Sequence, residues 1–167
     1  MSAFALDAET RALEAPDDHR AELRLWLRLL SCANLVEGDV RRRLRADFEV
    51  TLPRFDLLAQ LARAPEGMTM GDLSRRMMVS NGNLTALVGR MVLSGHVDRR
   101  ASAADKRAQM VRLTARGRRD FARLAARHGD WIAELFAGLD KRDVEALSLL
   151  LAKMKSGVQS ALARRDP

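Results

Sequence analysis

Residues 69–91 read TMGDLSRRMMVSNGNLTALVGRM, two short helical patterns about one turn apart. Thr69 can cap the first, with Asp72 three residues on reaching back, a capping-box arrangement in front of Leu73 and Met77. After Met78 and Val79, Ser80 is a second N-cap candidate; Leu84, Leu87 or Val88, and Met91 then recur at helical spacing until Gly95. With Leu84, Val88 and Met91 set inward at about 100° per residue, Gly82, Ala86 and Gly89 face outward, flanked by Asn83, Thr85 and Arg90. That ridge has almost no side chains. Each helical glycine costs on the order of 1 kcal/mol relative to alanine, so two on one exposed face weaken the helix without serving the fold. A bare ridge would let a helix backbone approach base edges, with Asn83 pairing to adenine and Arg90 reaching phosphate or guanine. The competing reading is a weak surface helix whose glycines are accidental.

Upstream, Pro53 sits where a helix can start, and Phe55, Leu57, Leu58 and Leu61 carry it to a break at Pro65-Glu66-Gly67. Downstream the helical period disappears: residues 97–101 and 109–113 read as short strands around the polar segment 102–107, a basic hairpin. Thr114 can cap a long helix carrying Phe121, Leu124, His128, Trp131, Leu135 and Phe136, softly interrupted at Gly129 and ended by Gly138. Asp140, with Asp143 three residues on, starts a last helix carrying Val144, Leu147, Leu151, Met154, Val158 and Leu162. From His19, one stripe runs through Leu23, Trp26 or Leu27, Leu30, Val40 and Leu44, and a second through Leu25, Leu29, Cys32 and Val36. Two stripes call for two partners, and the second is most easily another subunit. The fold class is mainly α with a small β-hairpin wing: a winged helix-turn-helix over residues 51–113, a helical dimerisation region over 19–50 and 114–162, and a loosely held N-terminal arm over 1–18.

Charge is localised. The 167 residues carry a net +7, but residues 1–50 hold eight basic against ten acidic side chains, 51–120 hold thirteen against six, and 121–167 hold eight against six. A basic middle suits an anionic polymer, while a surface that only aids solubility is the alternative. Cys32 is the single cysteine, so a disulfide-stapled scaffold is excluded. The first residues lack a basic start followed by an apolar run, and no stretch is long and apolar enough to span a membrane, which leads to the expectation of a cytoplasmic protein. His19, His96 and His128 are too scattered for a zinc site. No nucleophile-base pair, carboxylate pair or phosphate loop is visible, so the expectation is no catalytic site, metal or cofactor.

Residues from about 52 to 117 resemble the MarR family of bacterial regulators, and the flanking helices extend the match to about 20–160. The most specific piece is Asp105-Lys106-Arg107, then Leu113-Thr114 and Gly117, similar to the family's wing signature. Supporting pieces are residues 70–74 (MGDLS), Ser80 and Thr85 in the second helix, and Leu139-Asp140 leading into residues 150–154 (LLAKM). The resemblance implies that Arg107 enters the minor groove with Asp105 holding its guanidinium, a role suited to narrow grooves of high negative potential. Together the two readings give a DNA-contact set of Ser80, Asn81, Gly82, Asn83, Thr85, Arg90, Asp105, Lys106 and Arg107. Where many relatives carry Arg and Asp, this chain has Ala86 and Gly89, so its operator contacts differ.

The resemblance further implies a two-fold homodimer reading a pseudo-palindromic stretch of double-stranded DNA, with recognition helices one DNA turn apart, roughly 34 Å. It implies repression released by a small molecule bound between the dimerisation helices and the DNA-binding lobe. Trp26, Asn34, Glu37, Arg41, Phe48 and Phe55 are the candidates to line that site, against the plainer reading of polar residues solvated at a helix crossing. Residues 51–56 (TLPRFD) with 80–83 (SNGN) resemble a subgroup associated with aromatic-acid catabolism, which implies an aromatic acid or its coenzyme A thioester as effector. Cys32 reads as a buried small hydrophobe rather than a redox switch, since no second cysteine stands ready to resolve a sulfenate. A dimeric helical adaptor binding nucleic acid only nonspecifically, or a redox-sensing regulator acting through Cys32, is the alternative function; RNA binding would call for exposed aromatics to stack bases, and the few aromatics here mostly fall on apolar helical stripes.

Overall fold

Gly67, at φ 97°, sets the start of the sheet: it closes a turn by donating its N–H to the Ala64 carbonyl at 2.8 Å, with Pro65 in the second place. A Cβ there would stand 2.8 Å from the Val111 carbonyl oxygen, so only glycine admits the neighbouring strand this closely. The computed structural model describes residues 20–101 and 109–165, and element bounds are given within these. In chain order they are α1 (Arg20–Phe48), α2 (Leu52–Ala62), β1 (Met68–Thr69), α3 (Met70–Met77), α4 (Asn81–Leu93), β2 (Val97–Ala101), β3 (Gln109–Leu113), α5 (Ala115–Leu135) and α6 (Lys141–Ala163). They divide into two units, one ending at Gly129 and one beginning at Asp130.

In the first unit the hairpin strands fall where the sequence pattern puts them, antiparallel with Val97 opposite Leu113 and Arg99 opposite Val111. A third strand, β1, was not legible in the sequence; Met68 pairs with Val111, giving the order β1-β3-β2. Two residues are too few to show alternation, and their strand character comes from the partner across the ladder. Leucine, valine and methionine build the core: Leu57, Leu58 and Leu61 of α2, Leu73 of α3, Leu84, Val88 and Met91 of α4, and Val97, Val111 and Leu113 of the sheet are all buried. Val40 and Leu44 at the end of α1, and Leu124 of α5, are buried as well. Each fully buried aliphatic side chain stabilises by roughly 1.5–3 kcal/mol relative to exposure.

Two helices end in the left-handed conformation on residues other than glycine. Glu49 (φ 55°) follows α1, with Val50 N–H donating to the Leu44 carbonyl at 3.1 Å. Met78 (φ 53°) follows α3, with Val79 N–H donating to the Ser74 carbonyl at 3.2 Å. In both, the bond reaching back past the left-handed residue satisfies a carbonyl the helix leaves open.

One expectation is corrected, and two apolar faces are left open within the chain. α5 runs through Gly129 without interruption, since one helical glycine costs about 1 kcal/mol, less than long-helix packing supplies. α6 begins on the expected capping box, Asp140 accepting from Asp143 N–H at 2.9 Å and Asp143 from Asp140 N–H at 3.1 Å, yet buries none of its residues. Cys32 is exposed, as are Leu23, Leu25, Trp26 and Leu30. Of the two α1 stripes only the end at Val40 and Leu44 is covered within the chain.

Candidate nucleic-acid interface

The short helix α3 starts where the Thr69 hydroxyl accepts the Asp72 N–H at 3.1 Å. The reciprocal half of the expected capping box takes another form: the Thr69 hydroxyl donates to the Asp72 carboxylate at 2.7 Å. That bond, with the Arg75 guanidinium beside it, holds the Asp72 carboxyl below the usual carboxylate range. Ser74 donates to the Val79 carbonyl at 2.7 Å, closing the turn over the left-handed Met78. α4 begins at once, with Ser80 accepting the Asn83 N–H at 3.3 Å.

Leu84, Leu87, Val88 and Met91 face the core. Asn81, Gly82, Asn83, Thr85, Ala86 and Arg90 are exposed, the orientation expected from the sequence. A Cβ added at Gly82 or Gly89 would meet nothing within 4 Å, so the fold does not require glycine at either place. Thr85 donates its hydroxyl to the Asn81 carbonyl at 2.8 Å, which fixes its rotamer and leaves its lone pairs outward. Ser80, Asn81, Gly82, Asn83, Thr85 and Arg90 thus share one open helix end and face; Asp105, Lys106 and Arg107 lie outside the described residues.

Behind α4 the backbone is clamped. Gly95 adopts φ 72°, and the Thr114 hydroxyl, which accepts the Gly117 N–H at 3.0 Å, donates to the Gly95 carbonyl at 2.7 Å. Gly117 packs so closely that a Cβ would stand 2.0 Å from the His96 carbonyl oxygen. His96 places Nδ1 2.8 Å from the Ser94 hydroxyl and Nε2 3.2 Å from the Asp120 carboxylate. The C-terminal end of α4 is therefore tied to the start of α5.

On the outer face of the hairpin, Asp98 pairs with Arg100 at 2.8 Å and lies 3.6 Å from Arg112, contacts that hold its carboxyl below the ordinary value. Among the described residues Arg76, Arg90 and Arg99 have no carboxylate within 4 Å, which leaves net positive charge on this side of the lobe.

The six candidate effector residues do not converge. Phe55 is buried, its ring 5.8 Å from Phe121 and 4.8 Å from His128 between centroids. Trp26, Asn34, Glu37 and Arg41 are exposed along α1, the last two paired with each other. Phe48 lines a cleft of about 520 Å³ with Glu49, Arg54, Leu58, Met91, His96, Asp120, Arg123 and Leu124 among its walls. Arg54 donates Nε to Met91 Sδ at 3.2 Å there. Arg54, His96 and Arg123 were not candidates from the sequence, because three separate elements bring them together.

A capped helix, a left-handed turn, a second capped helix with an open outer face and an antiparallel hairpin behind it define a winged helix-turn-helix protein. Residues 48–108 match the MarR family model. The chain is 36% identical to a MarR family transcriptional regulator from Silicibacter pomeroyi, with a TM-score of 0.69 over 85% of this chain and 99% of that one. It belongs to the MarR family of transcriptional regulators, proteins that are not enzymes. It is similar to the transcriptional activatory protein BadR of Rhodopseudomonas palustris, 39% identical over 60% of this chain and 59% of BadR. To the HTH-type transcriptional regulator TtmR of Methylorubrum extorquens it is 35% identical, over 48% of this chain and 41% of TtmR. The chain thus spans about half the length of these curated relatives. A mutant MarR from E. coli complexed with operator DNA superposes with a TM-score of 0.71 at 25% identity, over 83% of this chain and 99% of that one.

Proposed function

We propose that the chain is a cytoplasmic, sequence-specific DNA-binding regulator that works as a two-fold homodimer on a pseudo-palindromic operator. The observation that carries this reading is the outer face of α4: exposed, capped, and bare of bulk at Gly82, Ala86 and Gly89 where the fold leaves the space empty. Asn83 and Thr85 are the side chains on that face suited to base edges, and Arg90 to phosphate or guanine. Asp105, Lys106 and Arg107 supply the wing contact, Arg107 in the minor groove. The E. coli MarR relative is described in complex with operator DNA, which supports a DNA partner. Dimerisation is supported by apolar side chains that this chain leaves open on α1 and α6, Trp26, Leu147, Leu150 and Leu162 among them. Described helices include none long and apolar enough to cross a membrane.

An effector fits the cleft at Phe48, where Arg54 and Arg123 offer donors to an acid and Phe48, Leu58 and Met91 offer apolar surface. An aromatic acid or its coenzyme A thioester matches that lining. Met91 belongs to α4 and His96 follows it, so an occupant favouring one position of α4 shifts the DNA-bound population by its differential affinity for the two states. Repression released by such a ligand is the proposed mode; BadR is named an activator, and a transcription assay with the bound protein decides the sign.

The test is binding to the DNA upstream of the chain's own reading frame and to a scrambled duplex, at about 50 and 200 mM salt, with wild type, Asn83→Ala and Arg107→Ala. Sequence-dependent binding that both substitutions weaken is the expected result. Equal, salt-sensitive binding to both duplexes, indifferent to Arg107 and Asn83, would leave only nonspecific electrostatics.

A further inference from the structure

Arg99 stands on the wrong face of its strand for a cation. On β2 it alternates with Asp98 and Arg100, which share the outer face, and it keeps company with Val97, buried on the inner face. Its cross-strand neighbour Val111 is fully buried. The outer arginines Arg100 and Arg112 share Asp98, whereas Arg99 has no carboxylate within 4 Å among the described residues. Its Nε is buried with no hydrogen-bond partner. Among the described residues its terminal nitrogen reaches only the Thr85 carbonyl of α4, at 3.5 Å, the outer limit of a hydrogen bond.

A guanidinium carries five donors and stays charged. One long contact to a helix carbonyl satisfies little of that capacity, and a half-buried charge without an anion is costly. Thr85 lies on the exposed face of α4, so the contact places the Arg99 guanidinium at the seam where the open helix face and the hairpin meet.

We propose that Arg99 is a DNA-backbone contact, its guanidinium held at the seam between α4 and β2 to be completed by a phosphodiester of a duplex laid across both elements. This rests on the regulator reading above. A phosphodiester presents two oxygens to the planar fork of an arginine and neutralises the charge that no described carboxylate meets. A base contact fits less well: much of the side chain's length is spent crossing from β2 to α4, and its head is not on the bare ridge. Phosphate contacts fix register on the duplex and carry no sequence information themselves.

The experiment measures affinity of the full chain for its upstream duplex and for the scrambled duplex across a salt series, with wild type, Arg99→Met and Arg99→Lys, beside thermal melts without DNA. Arg99→Met keeps the apolar stem and removes the charge. It is expected to weaken both duplexes by the same factor, about tenfold per contact, and to lower the slope of log K against log salt by about one per protomer. The melting temperature stays level or rises, because a poorly satisfied buried charge is gone. Arg99→Lys keeps the salt slope and recovers part of the affinity. Unchanged affinity and slope in Arg99→Met would overturn the inference. So would a lowered melting temperature with loss confined to discrimination between the duplexes, which would make Arg99 a brace between strand and helix. Wild type that binds neither duplex overturns the regulator reading and takes this inference with it; wild-type binding that Arg99→Met leaves intact overturns the inference alone.

Discussion

Residues 52–113 and the last helix, α6, are both rich in aliphatic side chains at helical or strand spacing, and they use them in opposite ways. In the lobe they are covered within the chain: Leu57, Leu58, Leu61, Leu73, Leu84, Val88, Met91 and Val111 are all within 2% of full burial. α6 buries none of its own; Val144, Leu147, Leu149, Leu150, Leu151, Val158 and Leu162 are exposed along its length. Periodicity says that a helix has an apolar face. Whether the same chain supplies the cover is a separate matter, and only packing answers it. The lobe is a packed core on which a precise outer surface can be held, while the open face of α6 is the one the proposed dimer would cover.

The sharpest way to break this contrast is to truncate one leucine on each side. Leu84→Ala removes a fully buried side chain and is expected to cost about 2–5 kcal/mol, read by denaturant unfolding, with operator binding lost as α4 loosens. Leu147→Ala removes a side chain 47% exposed in the single chain. It is expected to leave the lobe's folding unchanged and to move subunit dissociation to higher protein concentration, read by sedimentation. The melting temperature of wild type should rise with concentration, as it does when association stabilises the folded chain. A concentration-independent melt and no effect of Leu147→Ala would remove the dimer from the reading and leave α6 as an open surface.

Next in size is Gly117→Ala. Its Cβ would meet the His96 carbonyl oxygen at 2.0 Å, an overlap with backbone that no rotamer relieves, and the expected loss is about 3 kcal/mol. The clamp at Thr114 that ties the end of α4 to α5 should open with it, so DNA affinity should fall further than stability alone explains. Gly129→Ala is the control: it lies in α5 with nothing within 4 Å of a Cβ, and a gain of up to about 1 kcal/mol is expected. A Gly117→Ala protein with wild-type stability and affinity would show that the close approach is not required.

How much of this was legible follows the same division. Caps are local chemistry, and Thr69, Ser80, Thr114 and Asp140 all cap where the sequence places them. The strands at 97–101 and 109–113 stood out because helical period stops there. β1 did not, since two residues hold no period. Periodicity marked Cys32 as core, although its stripe has no cover in this chain. Arg99 was missed because Val97-Asp98-Arg99-Arg100 reads as a polar strand, and only the register against β3 reveals which arginine faces in. The cleft at Phe48 draws on the end of α1, on α2, on the turn after α4 and on α5, a convergence no local pattern encodes. Phe55 and Phe48 look alike on a helical stripe, yet one lies in the core and the other on a cleft wall.

The smallest effect tests the junction of the lobe with α1 and α5, at Asp56 on the surface of α2. Partial burial pushes its carboxyl above the usual carboxylate range, the nearby charge of Glu37 on α1 pushes the same way, and His128 of α5 opposes both. A carboxyl whose pKa is raised on folding binds its proton more tightly in the folded chain. It therefore lowers stability fully above its folded pKa and does so less as pH falls through that value. Asp72 and Asp98 work in the opposite sense, since their lowered values mean stability present near neutrality and lost in acid. The whole-protein pH profile mixes these, so the informative quantity is the difference between wild type and Asp56→Asn in denaturant unfolding from neutral pH to about pH 4. Asp56→Asn should be the more stable protein at neutral pH, by a small margin because the side chain is only partly buried, and the margin should close as pH falls. The Glu37→Gln background should shrink the neutral-pH margin, since one of the two causes is then absent. A margin that is flat with pH, or that widens in acid, would mean that the junction of α1 with α2 imposes no electrostatic cost. The lobe's electrostatics would then end at its own surface, although its packing does not.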